Sequence, residues 1–383
     1  MDLKLFFDPI HKDIATKDFT ADSFVQSVYF NEEKMPEIKG MDIALIGIVD
    51  KPNAPQPSNS SVQHIRRKLY DLKESSGSCK VIDLGNLRSG PNNDETIGRV
   101  QAVCHYLMQK QVLPILIGGS QDYDIGQFKS YEDEEKFISV CCVDSRIDMD
   151  AQTEHGPDRH IHDMLIHEPN YLFGYSHIGY QSYFVSSENL KTLRKLNFTT
   201  MRLGEMREDF KKVEPIIREA DMLSFDISAI QKMYTPAGSR SDVFGLTGEE
   251  ACQIMWYAGL NDKLSSLGIY EYHCEKDSND HQTAQVIATM IWYFVEGFKN
   301  RKSEKGFQTN DYLKYQVTMD AEPASITFYK SRLSDKWWME VPKVNSKSVY
   351  DRNIIVPCDH YDYEQALKGE IPDRWISTFA KFS

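Results

Sequence analysis

Cys141-Cys142-Val143-Asp144-Ser145-Arg146-Ile147-Asp148-Met149-Asp150 carries the chain from an apolar run, residues 137–143, straight into three acidic residues and one arginine. A short apolar run of this kind reads as a strand buried on both faces of a sheet. In a parallel α/β sheet, ligands sit in the crevice outside the carboxyl ends of the strands, so carboxylates placed just past such a strand point to a site. Arg146 occupies the alternate position between Asp144 and Asp148, on the same side of an extended chain as both. A fixed positive charge there suits a cation site badly. The stretch is therefore either a working metal site or one in which another group has filled the metal position.

Outward from this strand, residues 42–49, 80–84, 112–117, 222–226 and 268–272 are further apolar runs of strand length. Between them lie helical patterns at 62–72, 94–109, about 246–260 and 282–298. In the second of these, Ile97, Val100, Cys104, Leu107 and Met108 share one face, the spacing of an amphipathic helix. Thr247 and Glu250 have the form of a capping box that opens the third. This β-α alternation predicts a parallel sheet with helices on both faces. Residues 1–40 read as a lead-in, with a helix at 21–30, and residues 41–300 as the main α/β domain. Residues 150–183, which hold His155, His160, His162, His167 and His177, read as a loop layer over the strand ends. After a polar linker at 300–310 the pattern changes. Runs at 315–319, 325–329, 337–341 and 350–356 predict a small β-rich appendage over 311–383, ending in an acidic, aromatic tail at 361–375. Trp337, Trp338, Tyr361, Tyr363 and Trp375 serve there either as its core or as anchors for a protein partner.

Hydrophobic residues make up 41% of the 383 and charged residues 26%, a balance normal for a globular protein. A formal charge of −13 argues against a nucleic-acid partner. The start of the chain lacks the basic and unbroken apolar stretches of a signal peptide. The apolar run 286–295 is too short to cross a bilayer, which needs about 20 residues. A cytoplasmic protein is expected. The seven cysteines include no Cys-x-x-Cys pair and read as reduced core residues.

Five motifs, taken together, resemble the arginase, agmatinase and formiminoglutamase family, the ureohydrolases. They are Gly118-Gly119-Ser120-Gln121, Asp144-Ser145-Arg146-Ile147-Asp148, Ser224-Phe225-Asp226-Ile227-Ser228, Gly245-Leu246-Thr247-Gly248-Glu249-Glu250 and Glu271-Tyr272-His273. The match covers roughly residues 40–300 and is most similar to the formiminoglutamase-type branch of Bacteroidota, which also carries a C-terminal extension. The resemblance implies a three-layer α/β/α fold, a manganese pair at the carboxyl edge of the sheet, hydrolysis of a guanidinium or amidine carbon, and a homo-oligomer.

The family's ligand motifs read Gly-Gly-Asp-His, Asp-Ala-His-x-Asp and Ser-x-Asp-x-Asp. Carried over position by position, the first histidine falls on Gln121, the second on Arg146, and the last aspartate on Ser228, while Asp144, Asp148 and Asp226 are kept. Loss of a single second-shell partner costs a metal site 10- to 100-fold in affinity, so losing three direct ligands costs at least ~10³-fold if they act independently. A guanidinium stays charged and does not ligate. Metal-bound water, the nucleophile at neutral pH, goes with the metal. No resident cofactor is therefore expected. Arg146 is expected to stand in for the ions by pairing with two of Asp144, Asp148 and Asp226. Glu271 matches a family residue that receives the guanidinium, although a strand-end acid capping nearby amides accounts for it equally well. Asp148 and Glu271 are the candidates for any residual catalytic role, and Gln121, Arg146, Ser228 and Glu271 for ligand binding.

Three functional classes follow. The first is a catalytically silent family member acting as a binding or scaffold module. The second is a metal-dependent amidinohydrolase, formimidoylglutamase-like, with a remodelled site that uses the retained aspartates and a loop histidine, His160-x-His162 having the nearest ligand spacing. The third is a sensor that keeps the amidine pocket without turnover.

Overall fold

A computed structural model describes residues 1–10, 19–32, 35–49, 61–74, 77–132, 136–153, 156–304, 307, 310–320, 322–343 and 354–382. The main sheet is built from β1 (Phe7–Asp8), β2 (Val28–Phe30), β3 (Ile43–Gly47), β4 (Val81–Leu87), β5 (Leu113–Ile117), β6 (Ile138–Val143), β7 (Leu172–Tyr180), β8 (Thr199–Arg202), β9 (Met222–Asp226) and β10 (Ser266–Tyr270). Its order is β1-β4-β3-β5-β10-β9-β6-β7-β8, with β2 also on β4. Only β1 runs antiparallel to its neighbour among these pairs. The first strands thus come from the N-terminal segment, which extends one edge of the sheet.

Strands β3, β5, β6, β9 and β10 are buried at every position, as continuous apolar runs require when helices cover both faces. Alternate residues feed different layers. Ile43, Leu45, Ile115 and Ile117 pack with Ile65, Met255 and Ile287 from helices Ser61–Asp71, Gly248–Gly259 and Gln282–Lys299. Ala44, Ile46 and Leu116 face Val100 and Leu107 of helix Asn93–Gln109, and Val140 and Cys142 face Phe128, Ile161 and Met164. This is the expected α/β/α sandwich. The helix Gly248–Gly259 begins at the predicted capping box, with Thr247 Oγ1 accepting from the Glu250 amide and Glu250 from the Thr247 amide.

Three local expectations fail. Residues 21–30 form a short 3-10 helix, Phe24–Ser27, and then β2. Within 150–183 lie a helix, His160–Ile166, and the nine-residue strand β7; its sequence LFGYSHIGY mixes Gly, Ser and His into a buried strand, so neither alternation nor an apolar run betrays it. The expected acidic tail is two helices, His360–Leu367 and Asp373–Ala380. The first opens on a capping box of Asp359 and Asp362, and the second stacks Trp375 on Phe379 one turn apart.

The appendage sheet is antiparallel, with β11 (Tyr312–Thr318), β12 (Ser325–Ser331), β13 (Trp337–Val341) and β14 (Ile354–Cys358) in sequential order. Residues 350–353 of the expected fourth strand lie outside the described residues. Trp337, Trp338 and Trp375 are buried, and Trp337 stacks on both Tyr315 and Tyr363. Trp337, Trp375, Tyr315 and Tyr363 build the appendage core, Trp338 packs against Phe307 and Tyr312, and Tyr361 stays exposed. Arg218, from the helix Val213–Glu219, ties the appendage to the main domain. Its two Nη atoms donate to the carbonyls of Trp337 (3.0 Å) and Cys358 (2.9 Å), and its guanidinium lies over Trp338. Among the described residues no helix is long and apolar enough to cross a membrane.

Candidate functional site

The adjacent strands β5, β10, β9 and β6 end side by side, and their carboxyl ends deliver Gln121, Glu271, Asp226 and Asp144. The turn after β5 needs glycine twice: Gly118 and Gly119 have φ of +83° and +76°, the left-handed region that glycine enters without penalty. A Cβ on Gly119 would also come within 2.5 Å of the Ile48 side chain. Glu271 itself sits at φ +71°, and its amide donates to the Gly119 carbonyl at 2.9 Å. Its Oε1 accepts from the Gln121 amide at 2.8 Å. Burial opposes ionisation of Glu271, but hydrogen bonding from His273, Ser239 and the Gln121 amide outweighs it and holds the carboxyl down at about 2. Here it caps an amide, as one of the two sequence-based readings has it.

Gln121 is fully buried, and its Nε2 donates to Ser224 Oγ (3.2 Å) and Cys142 Sγ (3.5 Å). Its side chain is thus engaged by the strands β9 and β6. Ser224 Oγ donates in turn to Asp124 Oδ2 (2.8 Å), which also meets His160 Nδ1 at 2.8 Å. Burial disfavours a charged His160, yet Asp124 and then the acids at 148 and 144 raise it to about 9. The imidazolium and the Asp124 carboxylate form an ion pair with both side chains nearly inaccessible. His177 behaves oppositely: its Nδ1 meets Tyr175 Oη and its Nε2 the Asp144 carbonyl, and burial drives it down to about 3, so it is neutral. His162 and His167 are only half-buried, and His155 lies outside the described residues.

The acid cluster is held by a different arginine from the one expected. The Arg146 guanidinium lies 4.0 Å from the ring centroid of Phe184, and its Nε makes no hydrogen bond. The chain leaves β6 at Val143 and bends, so the strand alternation that would have aimed Arg146 at the acids ends before it reaches them. Arg240 takes the place instead. Its Nη2 donates to Asp148 Oδ2 at 2.7 Å and its Nη1 to Asp158 Oδ1. Its backbone amide is fixed by Ser228 Oγ at 3.1 Å, while the Ser228 amide donates to Asp226 Oδ1 at 2.6 Å. Ser228 thus anchors the loop that delivers the guanidinium.

Burial, with Asp148 beside it, raises Asp144 to about 7 although Arg240 acts the other way. Burial also raises Asp226, reinforced by Asp144 and Glu271 and opposed by the Ser228 amide and Arg240. Asp144 Oδ2 and Asp226 Oδ2 are buried without hydrogen-bond partners. Three carboxylates crowd this volume and one guanidinium partly neutralises them, binding one and acting on the others through space. The donor set does not fit the manganese pair that the sequence motifs imply. Gln121 spends its Nε2 on Ser224 and Cys142 and offers an unpaired amide oxygen in place of an imidazole, Arg146 and Ser228 supply no imidazole or carboxylate, and Arg240 occupies Asp148. Among the described residues no group of three or more His, Cys, Asp or Glu is arranged to hold a metal ion.

Sequence reasoning missed Arg240, Asp124 and the pairing of His160. Arg240 stands in the loop Gly238-Ser239-Arg240-Ser241, where no periodicity marks it. The available signal was an isolated arginine among small residues shortly after the strand-end acid Asp226.

A model of the arginase family matches residues 41–296. The formimidoylglutamase of Photorhabdus laumondii is 22% identical over 267 residues, which are 64% of this chain and 81% of that protein. The crystal structure of Trypanosoma cruzi formiminoglutamase with Mn2+ superposes with a TM-score of 0.63 at 17% identity, covering 70% of this chain and 97% of that one. The formimidoylglutamase of Bacillus subtilis gives 0.63 at 17% identity over 75% of this chain and 96% of that one.

Proposed function

The chain belongs to the arginase family, and from that premise we propose that it is a member whose metal position is filled by its own Arg240 and which acts as a binding or scaffold module without hydrolysing an amidine. The observation that carries this reading is the Arg240 to Asp148 hydrogen bond of 2.7 Å, made inside the cluster of Asp144, Asp148 and Asp226. A guanidinium there supplies the positive charge that the three acids require, and it stays protonated at any ordinary pH. It does not lower the pKa of a bound water or polarise a carbon as a divalent ion would. The substitutions at 121, 146 and 228 act in the same direction, each removing a direct ligand. The exposed Tyr361 of the appendage supports a protein partner, and the family a homo-oligomer.

A second reading, hydrolysis of an amidine C–N bond in the manner named for the relatives, draws on Glu271, which is held ionised beside the same acids. One experiment separates the two. The purified protein is dialysed against manganese, its metal content measured, and turnover of formiminoglutamate assayed. Beside it runs the variant Gln121→His, Arg146→His, Ser228→Asp, Arg240→Ala. The proposal expects the wild type to hold well below stoichiometric metal and to show no turnover, with the variant gaining metal. Stoichiometric manganese in the wild type, or manganese-dependent turnover, overturns it.

A further inference from the structure

Away from the acid cluster, a cavity of about 630 Å³ opens between the helices Asn93–Gln109, Asp124–Lys129 and His160–Ile166. Its size is that of a small-molecule site. None of Asp144, Asp148, Asp226, Arg240 or Glu271 lines it. We propose that this cavity binds a small organic cation, a primary ammonium or amidinium on a compact apolar body, with the Asp122 carboxylate as its anchor.

Both Ile166, 56% exposed, and Asp122, 5% exposed, line the cavity. Asp122 Oδ2 accepts from Asn93 Nδ2 at 2.8 Å, which orients the carboxyl; burial raises it above the ordinary carboxylate range although Ser120 acts the other way, so a cation beside it is what would favour its charge. Oδ1 is buried and makes no hydrogen bond. A buried acceptor left unpaired is costly, more so when charged, and a cationic N–H donor is its strongest complement. The charges nearby favour the same ligand. Asp94, Asp122 and Glu168 line the cavity against Lys129, because Arg159 is already committed to Asp163 Oδ1 at 2.7 Å and to the carbonyls of Ala151 and Thr153. Ile97, Ile125 and Phe128 supply apolar walls, which suit the body of an organic cation. A bare metal ion would instead need a shell of oxygens. This assignment rests on residues separate from the proposal about Arg240 and stands or falls independently of it.

Benzylamine, cationic at neutral pH, and benzyl alcohol, its neutral counterpart, test the assignment by titration calorimetry on the full chain. Saturable binding of benzylamine is expected, with benzyl alcohol weaker by about tenfold or more, as loss of a charged hydrogen bond implies. Asp122→Asn keeps the shape and removes the charge, and should weaken benzylamine to the level of the alcohol. Ile166→Lys, at the exposed mouth, puts a cation in the ligand's path without disturbing a buried residue, and should weaken it similarly. Failure of benzylamine to bind, equal binding of the two probes, or indifference to both substitutions overturns the proposal. So does loss of binding in Asp148→Asn with Asp122→Asn unaffected, which would place the amine in the acid cluster.

Discussion

Arg240 Nη2 and Asp148 Oδ2 lie 2.7 Å apart, with the arginine side chain 27% exposed and the aspartate 8%. The contact joins a loop after β9 to the loop after β6, positions 92 residues apart in the chain. The Arg240 backbone is tied to Ser228 and the Ser228 amide to Asp226, so the guanidinium is delivered by the same strand end that supplies one of the acids.

Arg240→Ala should destabilise the protein by about 2–4 kcal/mol at pH 7, somewhat below the range for a fully buried pair because the guanidinium is partly exposed. The loss should shrink at pH 5. Without the guanidinium the three carboxyls bind protons more readily in the folded state, and protonation relieves their repulsion. Urea denaturation of wild type and variant at the two pH values checks this; a loss that does not shrink on acidification would mean that the pair contributes packing alone.

Arg146→Ala should change stability by no more than about 1 kcal/mol, the scale of a cation–π contact at a partly exposed site. The same denaturation measurement applies. A loss as large as that of Arg240→Ala would place Arg146 among the acids after all.

His160 and His177 should shape opposite flanks of the pH–stability curve. His160 is raised to about 9 from an ordinary 6.5, so between these values the folded state holds a proton that the unfolded chain has released. Its contribution is complete below pH 6.5 and is lost as pH rises through 9. His177, lowered to about 3, stays neutral while the unfolded chain takes up a proton below 6.5, so it costs stability as pH falls toward 3. His160→Gln should flatten the curve between pH 7 and 9 and leave the acid flank in place. An unchanged alkaline slope in that variant would rule out the imidazolium–Asp124 pair.

Arg218→Ala should loosen the appendage. Two buried carbonyls, those of Trp337 and Cys358, lose their donor, and Glu214 loses its nearer partner at 2.9 Å while keeping Lys336 at 3.8 Å, for a cost of about 2–4 kcal/mol. Hydrogen exchange in Trp337–Val341 and Ile354–Cys358 should quicken while β5 and β9 stay protected. Uniform protection throughout would show that the appendage docks by other contacts.

The sandwich was legible because its signals are local. Runs such as Ile43–Gly47 and Leu113–Ile117 carry no polar side chain, which only a strand covered on both faces requires. The regions that misled are those whose local pattern is ambiguous. β7 carries Gly, Ser and His inside a buried strand, where His177 is accommodated by Tyr175 two residues away and by the Asp144 carbonyl that the neighbouring strand brings beside it. The C-terminal helices are eight residues each; the capping box Asp359–Asp362 and the four-residue spacing of Trp375 and Phe379 mark them, but over so short a span both pass for an acidic, aromatic tail.

By itself the sequence determined the fold class and the strand ends at which the acids gather, because both are written in the identity and order of neighbouring residues. Only the tertiary structure decided which cation faces the acids. Arg146 is near them in sequence but ends on Phe184, and Arg240 is far in sequence but ends on Asp148. The direction of a side chain beyond the end of a strand is set by how the loop bends and by what packs against it, and an ion pair between two loops exists only once the sheet has brought their strands together.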